Sequence, residues 1–322
     1  MVAVARRRRR LSTAAALPWA AWALLRATGT ERGFPLVPAM SFTPYAAAAA
    51  LLPLAVAARV RAPLAAALSA GSGALLTAAV LHGPRVPGPP GPSDGQRVRV
   101  ATVSLRKGLV PAASVVDLVR RSDVDVLSVQ ELTPRAEKGL RDAGIDELLP
   151  WSHVLAARPG SVASASGAVW SRMPATPAGA VPGVFEQPTA RLAVPGAAHV
   201  ELTAVHCAPP ATSPRAVRDW TDDLAALPVP DPAVLRVLAG DFNATHDHAA
   251  FRAVLRTGWA DAARRMGHGL TWTWRPLRLP WPRLVLDHVL VDPRIGVAAV
   301  DLVRVHGSDH RAVVVDLVLP PD

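Results

Sequence analysis

Cysteine is nearly absent: Cys207 is the only one in 322 residues. A single thiol excludes an internal disulfide and any multi-cysteine zinc site. Aromatic residues are sparse at 5%, although nine Trp are present. Acids are scarce at the N-terminal end. Residues 1–96 hold ten Arg against only Glu31 and Asp94, a net of +8, whereas residues 97–322 hold 25 Lys+Arg against 23 Asp+Glu, a net of +2. The chain's basic excess therefore lies in its first part. The remainder lacks the broad positive footprint of a general DNA binder.

Charge is also missing from long stretches of that first part. Arg6–Arg10 precede an apolar run from Leu11 to about Leu25. A basic block before an apolar run also describes a signal peptide, but no A-x-A cleavage site follows and more apolar segments come next. Phe42–Ala58 and Ala62–Leu81 are uncharged. Each run is about 17–20 residues, near the length that crosses a bilayer, so about three transmembrane helices are expected. Ala-rich soluble helices are the competing reading, because Ala is only weakly lipophilic. Arg6–Arg10 and the pair Arg59/Arg61 belong on the cytoplasmic side by the positive-inside rule. Three spans then place the rest of the chain outside the cell membrane.

The Pro/Gly run Gly83–Pro92 blocks helix and sheet and favours an extended spacer. The expected organisation is a membrane region over 1–82, a linker over 83–96 and a second domain over 97–322. In that domain strand and helix patterns mix. Val98–Val103 alternates like a strand and Ala112–Arg121 is periodic like a helix. Short apolar runs at Val124–Val129, Ala197–Val205, Val234–Ala239, Leu284–Val291 and Ala312–Leu319 read as further strands, and Asp219–Leu227 as a helix. The mixture lacks a strict βαβ rhythm, which indicates an α/β sandwich with mixed sheets.

Polar residues that bind metal or phosphate stand at the ends of these runs. Glu131 follows Val124–Val129, His206 follows Leu202–Val205, and Asp241 and Asn243 follow Val237–Ala239. Asp287-His288 interrupts an apolar run, and Asp309-His310 precedes the last strand. Strand ends meeting at one sheet edge assemble a site from residues distant in sequence. His246 and His248 follow the Asn243 loop and are expected in a solvated loop, metal binding being the alternative, while His288 is expected to pack beside Asp287.

Four segments, Val129-Gln130-Glu131-Leu132, Gly240-Asp241-Phe242-Asn243, Leu286-Asp287-His288-Val289 and Ser308-Asp309-His310, resemble the ordered motifs of the endonuclease/exonuclease/phosphatase superfamily. That group includes DNase I, exonuclease III, inositol polyphosphate 5-phosphatases and neutral sphingomyelinases. The resemblance covers roughly residues 97–320 and implies a four-layer α/β sandwich, two mixed β-sheets flanked by helices. It implies Mg2+, with Mn2+ as the alternative, held by Glu131 with Asp309 beside it. It implies that Asp241 activates water, Asn243 and His206 contact phosphate or leaving group, and Asp287 orients His310. Ser104 departs from the pattern, since family members usually carry Asn there, and a hydroxyl offers one donor instead of an amide's pair.

Arg106 and Lys107 stand near Ser104, as phosphate ligands or ordinary surface charges. Trp272 and Trp274, two apart, share one face if extended. They either stack on a base or lipid headgroup or pack against the sheet. The expectation is a metal-dependent phosphodiesterase, nuclease or phosphatase acting on nucleic acid or a phospholipid headgroup; the alternative is a catalytically weakened phosphate-binding module on the same fold. No protein partner is inferable.

Overall fold

The computed structural model describes residues 2–82, 95–197 and 199–321. The Gly83–Pro92 spacer lies outside them. The chain divides into two units. One contains residues 1–85 with 211–217 and 245–252; the other contains the remainder.

The helices of the first unit are α1 (Val2–Thr28), α2 (Leu36–Ala39), α3 (Thr43–Ala49), α4 (Leu51–Arg59) and α5 (Pro63–His82). Two helical stretches among the described residues, Leu36–Arg59 and Pro63–His82, are long and apolar enough to cross a membrane. The third expected span falls in α1, which is not one of them: Pro18 and Arg26 lie inside that helix. The segment 245–252 belongs to this unit and is not a solvated loop. His246 and His248 are buried, and the Arg26 guanidinium holds Asp247 at 2.5 Å with both side chains buried. Glu31 accepts the Ala249 N–H, and the Ser41 hydroxyl lies 3.4 Å from His248 Nε2. A buried charge needs such a partner, and no local pattern links residues 221 positions apart.

Among the described residues the second unit contains twelve strands: β1 (Gln96–Ser104), β2 (Val126–Leu132), β3 (Trp151–Leu155), β4 (Ser166–Ser171), β5 (Ala175–Val181), β6 (Gln187–Leu192), β7 (Val200–His206), β8 (Leu235–Asp241), β9 (Ala260–Asp261), β10 (Asp287–Val291), β11 (Gly296–Arg304) and β12 (Arg311–Leu319). They form two six-stranded mixed sheets in the orders β11-β12-β1-β2-β4-β3 and β5-β6-β7-β8-β10-β9. Each sheet has one parallel pair at its centre, β1/β2 and β7/β8, and antiparallel pairs elsewhere. Between the sheets lies an apolar core that includes Val98, Val100, Val126, Leu202, Ala204, Val237, Ala239, Val289 and Val313. On the outer face of the first sheet, α6 (Ala112–Arg121), α7 (Pro134–Asp142) and α8 (Ile145–Leu148) bury Val115, Val119, Leu140 and Ile145 against Ala101, Val103 and Val129. Central strands covered on both faces read as near-continuous apolar runs.

The side-chain period of two carries this core into a polar cluster at one end. His206 shares parity with Leu202 and Ala204, Asp241 with Val237 and Ala239, and Asp287 with Val289 and Val291. Thr102 and Ser104 share parity with Val98 and Val100, and Ser128 and Gln130 with Val126. The buried polar atoms beneath the cluster are connected. Thr102 Oγ1 donates to Gln130 Oε1 at 2.9 Å, Gln130 Nε2 to Ser128 Oγ at 2.7 Å, and Ser128 Oγ to the Ala239 carbonyl of the opposite sheet at 2.8 Å. A fully satisfied network in a low-dielectric core fixes the two sheets against each other just below the site.

Candidate active site

Strand register brings the sequence motifs together. Asp241 ends β8 and pairs across the parallel ladder with His206, which ends β7. It pairs across the antiparallel ladder with Asp287, which begins β10. Because β10 runs opposite to β8, the first residue of one strand and the last of the other lie at the same sheet edge. Gly240 permits this packing, since a Cβ there would sit 1.9 Å from the Val205 carbonyl oxygen.

His310, just before β12, brings the edge of the first sheet to this group. Its Nδ1 lies 2.9 and 3.1 Å from the two Asp287 oxygens, and its Nε2 lies 3.9 Å from Asp241 Oδ2. Asp241, Asp287 and His310 thus each present a ligand atom within 4.8 Å of the others. The loop around His310 is held by Ser308, whose hydroxyl donates to the Ser104 carbonyl at 2.9 Å and accepts the His310 N–H at 3.0 Å. Asp287 is held by Thr273, whose Oγ1 accepts the N–H groups of Leu286 and Asp287 at 2.9 and 3.0 Å. Thr273 and Ser308 were not singled out from sequence. A small hydroxyl inside a motif carries no pattern that separates it from a turn residue.

Glu131 reaches the site by another route. Its parity points away from the inter-sheet face, but the β2/β4 register shifts between Val129 and Leu132 and Glu131 has a positive φ of 56°. The bulge re-aims its side chain. The carboxylate accepts the Lys107 N–H and lies within electrostatic reach of His310 and Asp309. Asn243 also has a positive φ, 47°; its N–H donates to Asp241 Oδ1 at 2.8 Å and its Nδ2 to the Cys207 carbonyl at 2.9 Å. Left-handed non-glycine residues concentrate at functional sites, where surrounding contacts over-determine them.

Asp309 receives the Trp274 indole N–H on Oδ2 at 3.3 Å, and its Oδ1 is buried without a partner among the described residues. Trp274 also meets the His310 ring edge-on at 6.5 Å. Trp272 and Trp274 are not on a regular strand; Trp274 forms only isolated bridges to Leu284 and His310. One face of Trp272 is taken by the Arg311 guanidinium, 3.6 Å from the ring centroid, so the expected stacking on a base is unavailable on that face. Ser104 ends β1 with its Oγ buried and unpartnered. Arg106 does not point at a carboxylate but donates to the Gly307 carbonyl at 3.4 Å. His288 packs against Asp261, 2.7 Å from Nδ1, and the Ala244 carbonyl, 2.9 Å from Nε2, instead of Asp287.

The electrostatics separate the two histidines. Burial opposes the charged form of His310, but the carboxylates of Asp287, Asp241 and Asp309 outweigh it and push its pKa up to about 10. Burial, reinforced by His310, pushes His206 down to about 3. Burial raises Glu131, and burial with the neighbouring Asp287 raises Asp241. Phe185 stacks on the His206 ring at 4.2 Å, and Gln187 Oε1 accepts its backbone N–H at 3.0 Å. His206 Nδ1 is buried without a partner among the described residues.

The folded pKa of His206 lies below the ordinary 6.5, so from 6.5 down to about 3 the unfolded chain binds a proton that the folded chain refuses. Stability therefore falls with acidification across that window, by up to about 1.4 kcal/mol per pH unit. Replacing His206 by Asn should flatten this dependence. Denaturant midpoints of both full-length proteins between about pH 6.5 and 4.5 check it, and parallel slopes would remove His206 as the cause.

A family model described as the Endonuclease/Exonuclease/phosphatase family matches residues 72–310. No curated protein matches the sequence. Among solved structures, an endonuclease/exonuclease/phosphatase from Beutenbergia cavernae is 21% identical with a TM-score of 0.53, covering 70% of this chain and 72% of its own. D. rerio TDP2 complexed with single strand DNA product is 13% identical, with a TM-score of 0.52 and coverages of 69% and 99%. A family protein from Leptotrichia buccalis is 14% identical, with a TM-score of 0.51 and coverages of 68% and 99%. At these identities the structural likeness speaks to the fold.

Proposed function

The chain belongs to the endonuclease/exonuclease/phosphatase family, and on that premise we propose that it is a divalent-metal-dependent hydrolase of phosphate esters. The observation that carries the reading is the convergence of Asp241, Asp287 and His310 at the edge where both sheets end. The two apolar helical stretches support attachment to a membrane.

The donor set fits a hard cation. Glu131 and Asp309 offer carboxylate oxygens, and Asp309 Oδ1 is buried with no other partner. When bound there, Mg2+ or Mn2+ supplies charge neutralisation and polarisation of a phosphoryl oxygen. The chain's own residues do the rest. Asp287 fixes the His310 ring through Nδ1 and leaves Nε2 turned toward Asp241. In this arrangement the His310 imidazolium steadies Asp241 and the attacking water, and Asp241 takes the water's proton as the new P–O bond forms and the ester P–O bond breaks. His206, kept neutral by burial, donates a ring N–H to a phosphate oxygen or the leaving group, and the Asn243 amide stabilises the equatorial oxygens.

Bis(p-nitrophenyl) phosphate and p-nitrophenyl phosphate test the activity. The detergent-solubilised full chain with Mg2+ or Mn2+ is expected to release nitrophenolate from at least one. A pure, folded chain that turns over neither would refute the hydrolase reading. That result would favour the weakened binding module, for which the short, unpartnered Ser104 hydroxyl is the specific observation.

A further inference from the structure

The cavity that reaches Asp309 and His310 has a strongly basic wall. It measures about 370 Å3 and is lined by Trp272, Arg275, Arg304 and Arg311 together with Asp309 and His310. The wall is built around one indole. The Arg311 guanidinium stacks 3.6 Å from the Trp272 centroid, and those of Arg283, Arg275 and Arg304 lie at 5.4, 5.8 and 5.9 Å. The ring's quadrupole attracts each cation but carries no net charge, so it leaves their mutual repulsion uncancelled.

Three of these four arginines differ from the paired arginines of the chain. Elsewhere in the chain Arg99 is paired with Asp316, Arg236 with Glu201 and Arg294 with Asp292. Among the described residues no carboxylate forms an ion pair with Arg275, Arg304 or Arg311. Arg275 donates to the Leu279 carbonyl at 3.1 Å and Arg283 to the Pro280 carbonyl at 3.0 Å, neutral acceptors that hold the side chains in place. Arg311 Nε is buried with no hydrogen-bond partner among the described residues. Planar guanidinium forks with free donors facing one cavity match phosphate oxygens in charge and geometry. The near-neutral charge of residues 97–322 makes this concentration local, not a consequence of a basic surface.

We infer that Arg275, Arg304 and Arg311, assembled on Trp272, form a second phosphate subsite that holds a non-scissile phosphate of the substrate beside the hydrolytic centre. The inference deepens the hydrolase reading and rests on it for the word substrate. The shared chemistry is a phosphodiester carrying a further phosphate group, whether in a nucleotide chain or in a phosphorylated headgroup.

Two measurements on the full-length protein separate this subsite from the hydrolase reading. In the first, inorganic pyrophosphate is titrated calorimetrically in EDTA into the wild-type chain and into the Arg275→Gln/Arg304→Gln variant. The subsite predicts binding that weakens at least tenfold in the variant. No binding to the wild type, or equal binding to both, would overturn it. The second compares kcat/KM within two matched pairs, dTpdT against pdTpdT and glycerophosphoinositol against its 4-phosphate. At least one phosphorylated member should be preferred about tenfold by the wild type and lose that preference in the variant. The pair that responds identifies the source of the phosphate. Arginine-dependent pyrophosphate binding without any turnover would leave the subsite standing and remove the hydrolase reading; turnover with no preference in either pair would do the reverse.

Discussion

Replacing His310 by Ala is expected to lower phosphate-ester hydrolysis by about 10³–10⁴-fold, toward the upper range for loss of a positioned acid–base group. His310 is the only residue of the cluster that contacts both partner carboxylates, Asp287 through Nδ1 and Asp241 across 3.9 Å from Nε2. Its removal leaves two buried carboxylates of like charge without the imidazolium between them. Hydrolysis should therefore fall even where the fold survives. Asp287 acts through His310, so it is a positioning residue with a separate signature. Asp287→Asn removes the carboxylate that does most to hold His310 near a pKa of about 10, and the alkaline limb of the pH–rate profile should move to lower pH. Rates are to be measured with circular dichroism as a control for folding. A folded His310→Ala protein that keeps turnover within tenfold of wild type would remove His310 from the mechanism.

Glu131→Gln should raise the metal concentration needed for half-maximal hydrolysis by about 100-fold, the upper end of losses seen when a metal site is perturbed. The amide keeps the size of the side chain and an oxygen to accept the Lys107 N–H, so the bulge and the positive φ are preserved. What is lost is the charge that a hard cation requires. The variant should recover part of its rate at saturating Mg2+, which distinguishes a lost ligand from a misfolded strand. An unchanged metal requirement would exclude Glu131 as a ligand.

The parts of the fold legible in the sequence were those with a clean period. The helix expected at Ala112–Arg121 has those bounds, and the expected strands near Val98, Val124, Ala197, Val234, Leu284 and Ala312 all occur, shifted by a few residues. The two mixed sheets flanked by helices follow from that mixture. The strands β3, β4, β5, β6, β9 and β11 were not anticipated; Ala175–Val181, largely exposed and containing Pro177, has little apolar signal to read. The inward parity of His206, Asp241 and Asp287 was legible because it continues the apolar register of their strands. The position of Glu131 was not, because a bulge reverses that register and no residue type announces it. The burial of His246, Asp247 and His248 was missed for a related reason. A polar triplet after a strand looks solvated until Arg26 and Ser41 are seen beside it. The arginine cluster on Trp272 was hidden in the same way, since Arg275, Arg283, Arg304 and Arg311 come from separate segments whose overall charge is nearly balanced.

The most direct test is a metal titration. The full-length wild-type chain, stripped with EDTA and dialysed, is assayed on bis(p-nitrophenyl) phosphate as Mg2+ is returned. A single hydrolytic centre built from Glu131, Asp241, Asp287, Asp309 and His310 predicts no turnover in the stripped protein and saturable recovery with added ion. Full turnover in the stripped protein would contradict it.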